Sequence, residues 1–369
     1  MTSTSLIKRR RFLTWCTSLT LGTATGCNNS PEPSPAETAA RRDIPLKVAI
    51  AFDAGPTDTD ARVSAIQRAW SAVSEQPLAV EPIDYDRVQS PKLADRFLVV
   101  AKNCDVLIYP IALGSELATA EAIAALSDDF IKDTDRDYGS LLPALRNGLS
   151  VYADQTIGLP LGASLPAILS IDPVKTIESW DDYDEWVAGE CKGRAAEPTA
   201  PGWAAAMFLW RAASIKEWLF DRETLDPLID TAPYIETLER FVGTHDRYQM
   251  KRQRPEQIWS GIVSGTLNGG ISCQHGSTAN VEVNVADLPG SSNPGRVLFD
   301  PFTQIASLSA NCRQSEAAKR FVAWITGAES SRAMRREVFV AATNRDAPDS
   351  ETRPRSLSAR ESSYDLSLI

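Results

Sequence analysis

Histidine is almost missing from this chain of 369 residues: His245 and His275 are the only two. No Cys-x-x-Cys spacing occurs, and the 6 cysteines are scattered. A structural zinc site needs several closely spaced Cys and His ligands, so no metal is expected. Cations are also short, with 38 Lys and Arg against 48 Asp and Glu and a net charge of −10. That balance argues against nucleic acid or an anionic lipid surface as the main partner. Beyond the N-terminus no apolar run approaches the roughly 20 residues that span a bilayer. The signatures of common catalysts are absent too. There is no Gly-x-Ser-x-Gly, no His-Glu-x-x-His, no Walker A loop and no Gly-x-Gly-x-x-Gly after a strand. Cys273 and His275 are close in sequence, but side chains two apart at a strand end need not meet. The acid pairs Asp128-Asp129 and Asp181-Asp182 read as surface charge, and no cofactor is expected.

The N-terminus carries the most information. Lys8-Arg9-Arg10-Arg11-Phe12-Leu13 opens a short apolar run that ends at Ala24-Thr25-Gly26-Cys27. A basic head, an apolar segment too short to span and small residues at a cut site describe an export signal. Arg9-Arg10 with Phe12 and Leu13 resembles a bacterial twin-arginine signal, and the residues before Cys27 resemble a lipoprotein box. The expected product is exported and held by a diacylated Cys27 on the periplasmic or outer face of the cytoplasmic membrane. Two acyl chains suffice for stable attachment. Asn28 to Asp43, rich in proline and small residues without apolar periodicity, reads as a spacer.

About 300 residues follow, too many for one ordinary core, so two lobes are expected. Cys104, Cys191, Cys273 and Cys312 remain after processing. They allow two disulfides in three pairings, but a chain exported already folded from a reducing cytosol keeps them free as readily.

Strand and helix signals alternate along the body. Leu46–Phe52 is a buried-strand run closed by turn residues. Val63, Ile66, Ala69, Trp70 and Val73 mark a helix over 60–73. Strands at 78–83 and 105–109 flank a helix at 92–101, and the short links imply a parallel sheet covered on both faces. Helix is expected over 116–126 and near Leu141. Residues 156–163 read as an extended crossover, followed by a strand at 167–171. Ser179 caps a helix from Trp180, with Asp182 reaching back. Trp203, Met207, Trp210 and Ser214 share one helical face. A helix from Ile258 to Leu267 leads to a strand at 270–273, a return strand runs from 302 to 308, and 316–325 is amphipathic. From Thr343 the chain is polar and aperiodic.

Four stretches in order resemble bacterial extracellular solute-binding proteins of the sugar-binding type. They are the strand and helix of 105–133, the crossover with Ile157-Gly158-Leu159-Pro160, the helix start Ser179-Trp180-Asp181-Asp182-Tyr183, and Leu308 to Met334 with its Glu316-Ala317-Ala318, Phe321 and Trp324. The matches are spread in the right order over residues 46 to 340, nearly the whole body. The resemblance implies an α/β, two-lobed, periplasmic-binding-protein-like fold of type II with its ligand cleft between lobes. It places a signal at 1–27, a Pro-rich linker at 28–45, lobe 1 at 46–160 and 302–343, lobe 2 at 161–301 and a polar tail at 344–369. Ile171-Asp172 replaces the usual Tyr-Asn pair, and the aromatic often found near Gln274-His275-Gly276 is missing. Those departures concern the ligand more than the fold.

The same resemblance implies a monomeric binding protein, not an enzyme, that gives a small solute, of the carbohydrate class typical of this family, to ABC permease subunits. Sugars are held by aromatic faces and forked polar side chains in such clefts. The candidate contacts are Asp53 and Tyr109 at the carboxyl edge of the sheet, Ser164 and Phe302 on the crossovers, Trp203 opening a lobe 2 helix, and Gln274 and His275 after a strand. Asp53 fits an Asx turn as well, and Tyr109 and Trp203 fit ordinary packing. Met207, Trp180, Trp186, Trp210, Trp259 and Trp324 read as core. Two other functions stay open: an exported enzyme acting on glycans, and a binding-protein scaffold that has lost its ligand.

Overall fold

The computed structural model describes residues 43–53, 59–87, 90–132, 143–161, 165–215, 218–273, 283–290, 300 and 302–327. The signal, Cys27, most of the linker, Ser164, Gln274, His275 and the tail from 344 lie outside the described residues. The body is two α/β lobes, each built on its own sheet.

In the first lobe β1 (Leu46–Asp53) lies between β2 (Leu78–Tyr85) and β3 (Val106–Pro110), parallel to both. β1 alternates with period two. Leu46, Val48, Ile50 and Phe52 pack on one face with Ile66 and Trp70 of α1 (Thr59–Ser71). Ala49 and Ala51 turn to the other face, against Leu93 and Phe97 of α2 (Ser90–Val100). Small residues on that side let α2 approach closely. β2 is the edge strand, which is where its Pro82 costs no ladder hydrogen bond.

The helix expected over 116–126 is shorter. A helical turn covers Gly114–Thr119, and Ile123–Ala124 forms β4 instead. After β5 (Val151–Tyr152) and β6 (Gln155–Thr156), which form a two-stranded sheet, β7 (Leu159–Pro160) joins the first sheet. The chain then leaves for the second lobe.

That lobe has the order β11–β8–β10–β9, with β8 (Ala167–Ser170), β9 (Ala195–Ala196), β10 (Gly269–Ser272) and β11 (Asn284–Ala286). Its core is a tryptophan cluster from α3 (Trp180–Gly189) and α4 (Ala204–Ala212), including Trp180, Trp186, Trp203, Met207 and Trp210. The expected capping box at α3 is present. Ser179 Oγ accepts from Asp182 N at 3.1 Å, and Asp182 Oδ2 accepts from Ser179 N at 2.9 Å. α5 (Ala232–Arg247) packs on α4, and α6 (Pro255–Val263) on β10.

The chain returns through β12 (Gln304–Ser309), antiparallel to β3, and α7 (Ser315–Ile325), whose Phe321 and Trp324 contact Trp70 edge-on. All four described cysteines are free: Cys104, Cys191 and Cys273 are buried, and Cys312 is half-buried. No helix among the described residues is long and apolar enough to cross a membrane.

Candidate functional site

The carboxyl ends of β1 and β2 lie side by side, with Asp53 paired in register to Tyr85. Arg87 follows two residues after β2. Its guanidinium forks onto Asp300, Nη1 to Oδ1 and Nη2 to Oδ2 both at 2.7 Å, while Nε donates to Asp53 Oδ2 at 2.9 Å. A fork of this kind fixes both position and plane.

The same guanidinium is enclosed by two aromatic faces. Its carbon lies 3.6 Å from the ring centroid of Trp203 and 4.4 Å from that of Phe302. Phe302 is in turn stacked on Tyr85 at 5.7 Å and 12°. Only 7% of the Arg87 side chain and 6% of that of Asp300 reach solvent. Burial by itself pulls the Arg87 pKa down, but the charges of Asp300 and Asp53 outweigh it and hold the group above its ordinary value. Burial and the charge of Asp53 raise the Tyr85 hydroxyl.

The second lobe supplies the other wall. Gly202, at φ +81°, precedes Trp203 at the start of α4, and a Cβ built on it would lie 2.3 Å from Arg87 Cβ. Arg254, at the start of α6, brings Nη2 to within 3.1 Å of Asp53 Oδ2. Asp53 Oδ1 and Trp203 Nε1 are buried without a hydrogen-bond partner among the described residues. Two aromatic faces, two carboxylates and two guanidinium groups therefore meet where the lobes touch. Such a cage can hold a flat group by stacking and its donors by carboxylates.

Asp53, Trp203 and Phe302 thus come together. Tyr109 does not, and its placement in the cleft is corrected. The side chain is fully buried, edge-on to Phe97 at 5.9 Å, with its hydroxyl 2.9 Å from Ser307 Oγ. β3 runs on to Pro110, so Tyr109 points with Leu107 into the face covered by α2 rather than off the strand end. Burial raises its pKa against the opposing Ser307 bond.

Arg87, Asp300 and Arg254 are the members that sequence reasoning missed. Arg87 stands at the same sheet edge as Asp53, and that was its available signal. Among the described residues no cluster of His, Cys, Asp and Glu is arranged to hold a metal.

No family model and no curated protein sequence matches the chain. Solved structures do. An ABC transporter solute-binding protein from Agrobacterium vitis, with bound D-mannitol, superposes with a TM-score of 0.61 at 16% identity, over 81% of this chain and 76% of that one. The fold is that of two-lobed solute-binding proteins. The maltose-maltodextrin binding protein of Alicyclobacillus acidocaldarius gives 0.57 at 12% identity, over 88% and 84%. The GacH receptor of Streptomyces glaucescens, solved unliganded and with acarbose, gives 0.59 at 14%, over 87% and 82%. These neighbours are binding proteins rather than enzymes.

Proposed function

We propose that the chain is the lipid-anchored solute-binding component of an ABC importer. It closes its lobes on a small solute of the carbohydrate class and offers it to permease subunits, as a monomer outside the cytoplasmic membrane. The observation that carries this reading is the meeting of Trp203 and Phe302 with Asp53 and Asp300 between the lobes. The two-lobed fold it shares with sugar-binding neighbours supports the same reading. A solute that touches both walls only in the closed form shifts the population toward closure. A preference of about 5.5 kcal/mol turns a 1:99 equilibrium into 99:1.

The experiment is a thermal-shift screen of the protein against sugars and polyols. A true ligand at a hundred times its dissociation constant stabilises the protein by about 2.7 kcal/mol. No shift with any member of the library refutes the carbohydrate reading. For the anchor, Cys27→Ser should leave the protein unacylated. A processed variant that still partitions into detergent refutes the lipid attachment.

One observation favours a second reading. Arg87 already fills the space between the aromatic faces, as in a scaffold that closes on itself without a solute.

A further inference from the structure

Arg87 occupies the interlobe cage in the manner of a ligand. Its guanidinium carbon lies over the rings of Trp203 and Phe302, and the group forks onto Asp300 and donates to Asp53, with its side chain 7% exposed. Resting on the reading of this cleft as the solute site, we infer that the cage is a cation site and that its solute carries a guanidinium or primary ammonium on a saccharide-sized ring, which takes the place of Arg87.

The argument is one of charge and space. A solute cannot stack between Trp203 and Phe302 while the guanidinium is there, so Arg87 must leave. Its departure strips Asp300 of both ion-pair bonds. Among the described residues the only other hydrogen bond to that carboxylate is the Phe302 amide, at 3.0 Å to Oδ1. Closing the lobes on a neutral sugar would then bury an unpaired carboxylate, which costs far more than a hydroxyl bond returns. Closing them on a cation restores the pair. Arg254 remains on Asp53 Oδ2 in either case, at the rim and 30% exposed. Two unpartnered buried atoms, Asp53 Oδ1 and Trp203 Nε1, are an acceptor and a donor left for the rest of the solute.

The probes are methylguanidinium and its neutral isostere N-methylurea, with glucosamine and glucose as charged and neutral saccharides. Melting temperature and indole fluorescence of the full chain are the readouts. In Arg87→Ala, methylguanidinium should half-saturate at least tenfold below N-methylurea. On the unsubstituted chain it should need at least tenfold more, because Arg87 competes. Adding Asp300→Asn to Arg87→Ala should erase the preference. Equal responses to the two probes, or none, in a folded Arg87→Ala protein overturn the inference. If that variant does not fold, the unsubstituted chain decides. Glucosamine bound at least tenfold more tightly than glucose supports a cation site. Glucose bound as tightly as glucosamine overturns it and leaves the solute-binding reading standing. Silence toward every saccharide and every cation overturns both.

Discussion

Arg87 and Trp203 belong to different lobes, yet the guanidinium carbon of one lies 3.6 Å from the ring centroid of the other. Arg87 is anchored by Asp53 at the end of β1 and by Asp300, so the indole stacks on a cation held in place. A desolvated cation–π contact is worth about 2 kcal/mol. Trp203→Ala should therefore loosen the contact between lobes. It should also open a cavity, because Trp203 is only 3% exposed and belongs to the second-lobe core. Both effects appear in a melt, and Arg87→Ala loses the stack together with the ion pairs to Asp53 and Asp300. A double-mutant cycle between the two positions isolates the stack, with an expected coupling of about 1–2 kcal/mol. Strict additivity would show that the stack contributes nothing.

Tyr109 should behave as a core residue and not as a solute contact. Tyr109→Ala is expected to cost about 3–5 kcal/mol of stability through the cavity it leaves. Tyr109→Phe, which deprives only Ser307 of its partner, should cost about 1 kcal/mol. Solute affinity of the Phe variant should equal that of the parent. Titration of any solute that gives a thermal shift checks this, and a tenfold loss with an unchanged melt would return Tyr109 to the cleft.

Glu197 and Arg211 form an ion pair in the second lobe with only 1% of either side chain exposed. The Arg211 guanidinium also lies over Trp180 at 4.4 Å and Phe241 at 5.4 Å. Burial raises the Glu197 pKa, with Arg211 opposing. A carboxyl whose folded pKa is raised binds its proton longer than in the unfolded chain. The native state is therefore penalised as pH climbs from the ordinary glutamate value of 4.5 toward the folded pKa. Glu197→Gln removes that slope. Arg211→Met leaves the carboxylate buried alone and should cost about 3–5 kcal/mol, while Arg211→Met with Glu197→Leu should recover most of it. Chemical denaturation at pH 5 and pH 7 measures both effects. A single Arg211→Met variant as stable as the parent would show that the pair adds nothing to the core.

The thiols give a pH prediction of opposite character. Burial pushes Cys104 and Cys191 up to about 12 and Cys312 to about 11. Thiolate is the reactive form, so all should react slowly with Ellman's reagent at pH 8. Cys312 is the half-buried one and should react first, with a rate rising about tenfold per pH unit. Cys312→Ser should abolish the leading phase. A leading phase that survives the substitution assigns the reactive thiol elsewhere.

How far the sequence reached depends on how local each signal is. The alternation of Val48, Ile50 and Phe52 with Ala49 and Ala51 is contained in one strand, and both its faces are as the pattern implies. The Ser179–Asp182 cap is likewise local. Tyr109 was misplaced because the strand was taken to end one residue early, and a single step along β3 decides which way the ring points. α5 is hard to read for another reason. Ile235, Leu238 and Val242 keep helical spacing but are exposed, while Tyr234 and Phe241 are the buried pair, so the apolar pattern marks two faces. Arg87 was out of reach. One charged residue after a strand looks like ordinary surface, and what makes it central is Asp300, 213 residues away.

Gly202 offers the sharpest test of how tightly the lobes meet. Its φ of +81° disfavours any side chain, and an added Cβ would meet Arg87 at 2.3 Å on Cβ and at 3.1 Å and 3.2 Å on the backbone. Backbone cannot step aside as a flexible side chain would. Gly265 is a matched control, with φ +72° and nothing within 4 Å of its added Cβ. Gly265→Ala therefore reports the left-handed strain alone, about 1–2 kcal/mol. Gly202→Ala should lose more, and it should part the lobes as well. Acrylamide should then quench a tryptophan that is 3% exposed in the parent, and the radius of gyration by small-angle scattering should rise. Gly265→Ala should change neither. If Gly202→Ala costs no more than Gly265→Ala and its tryptophans stay as protected as in the parent, the lobes do not meet at Arg87 in solution.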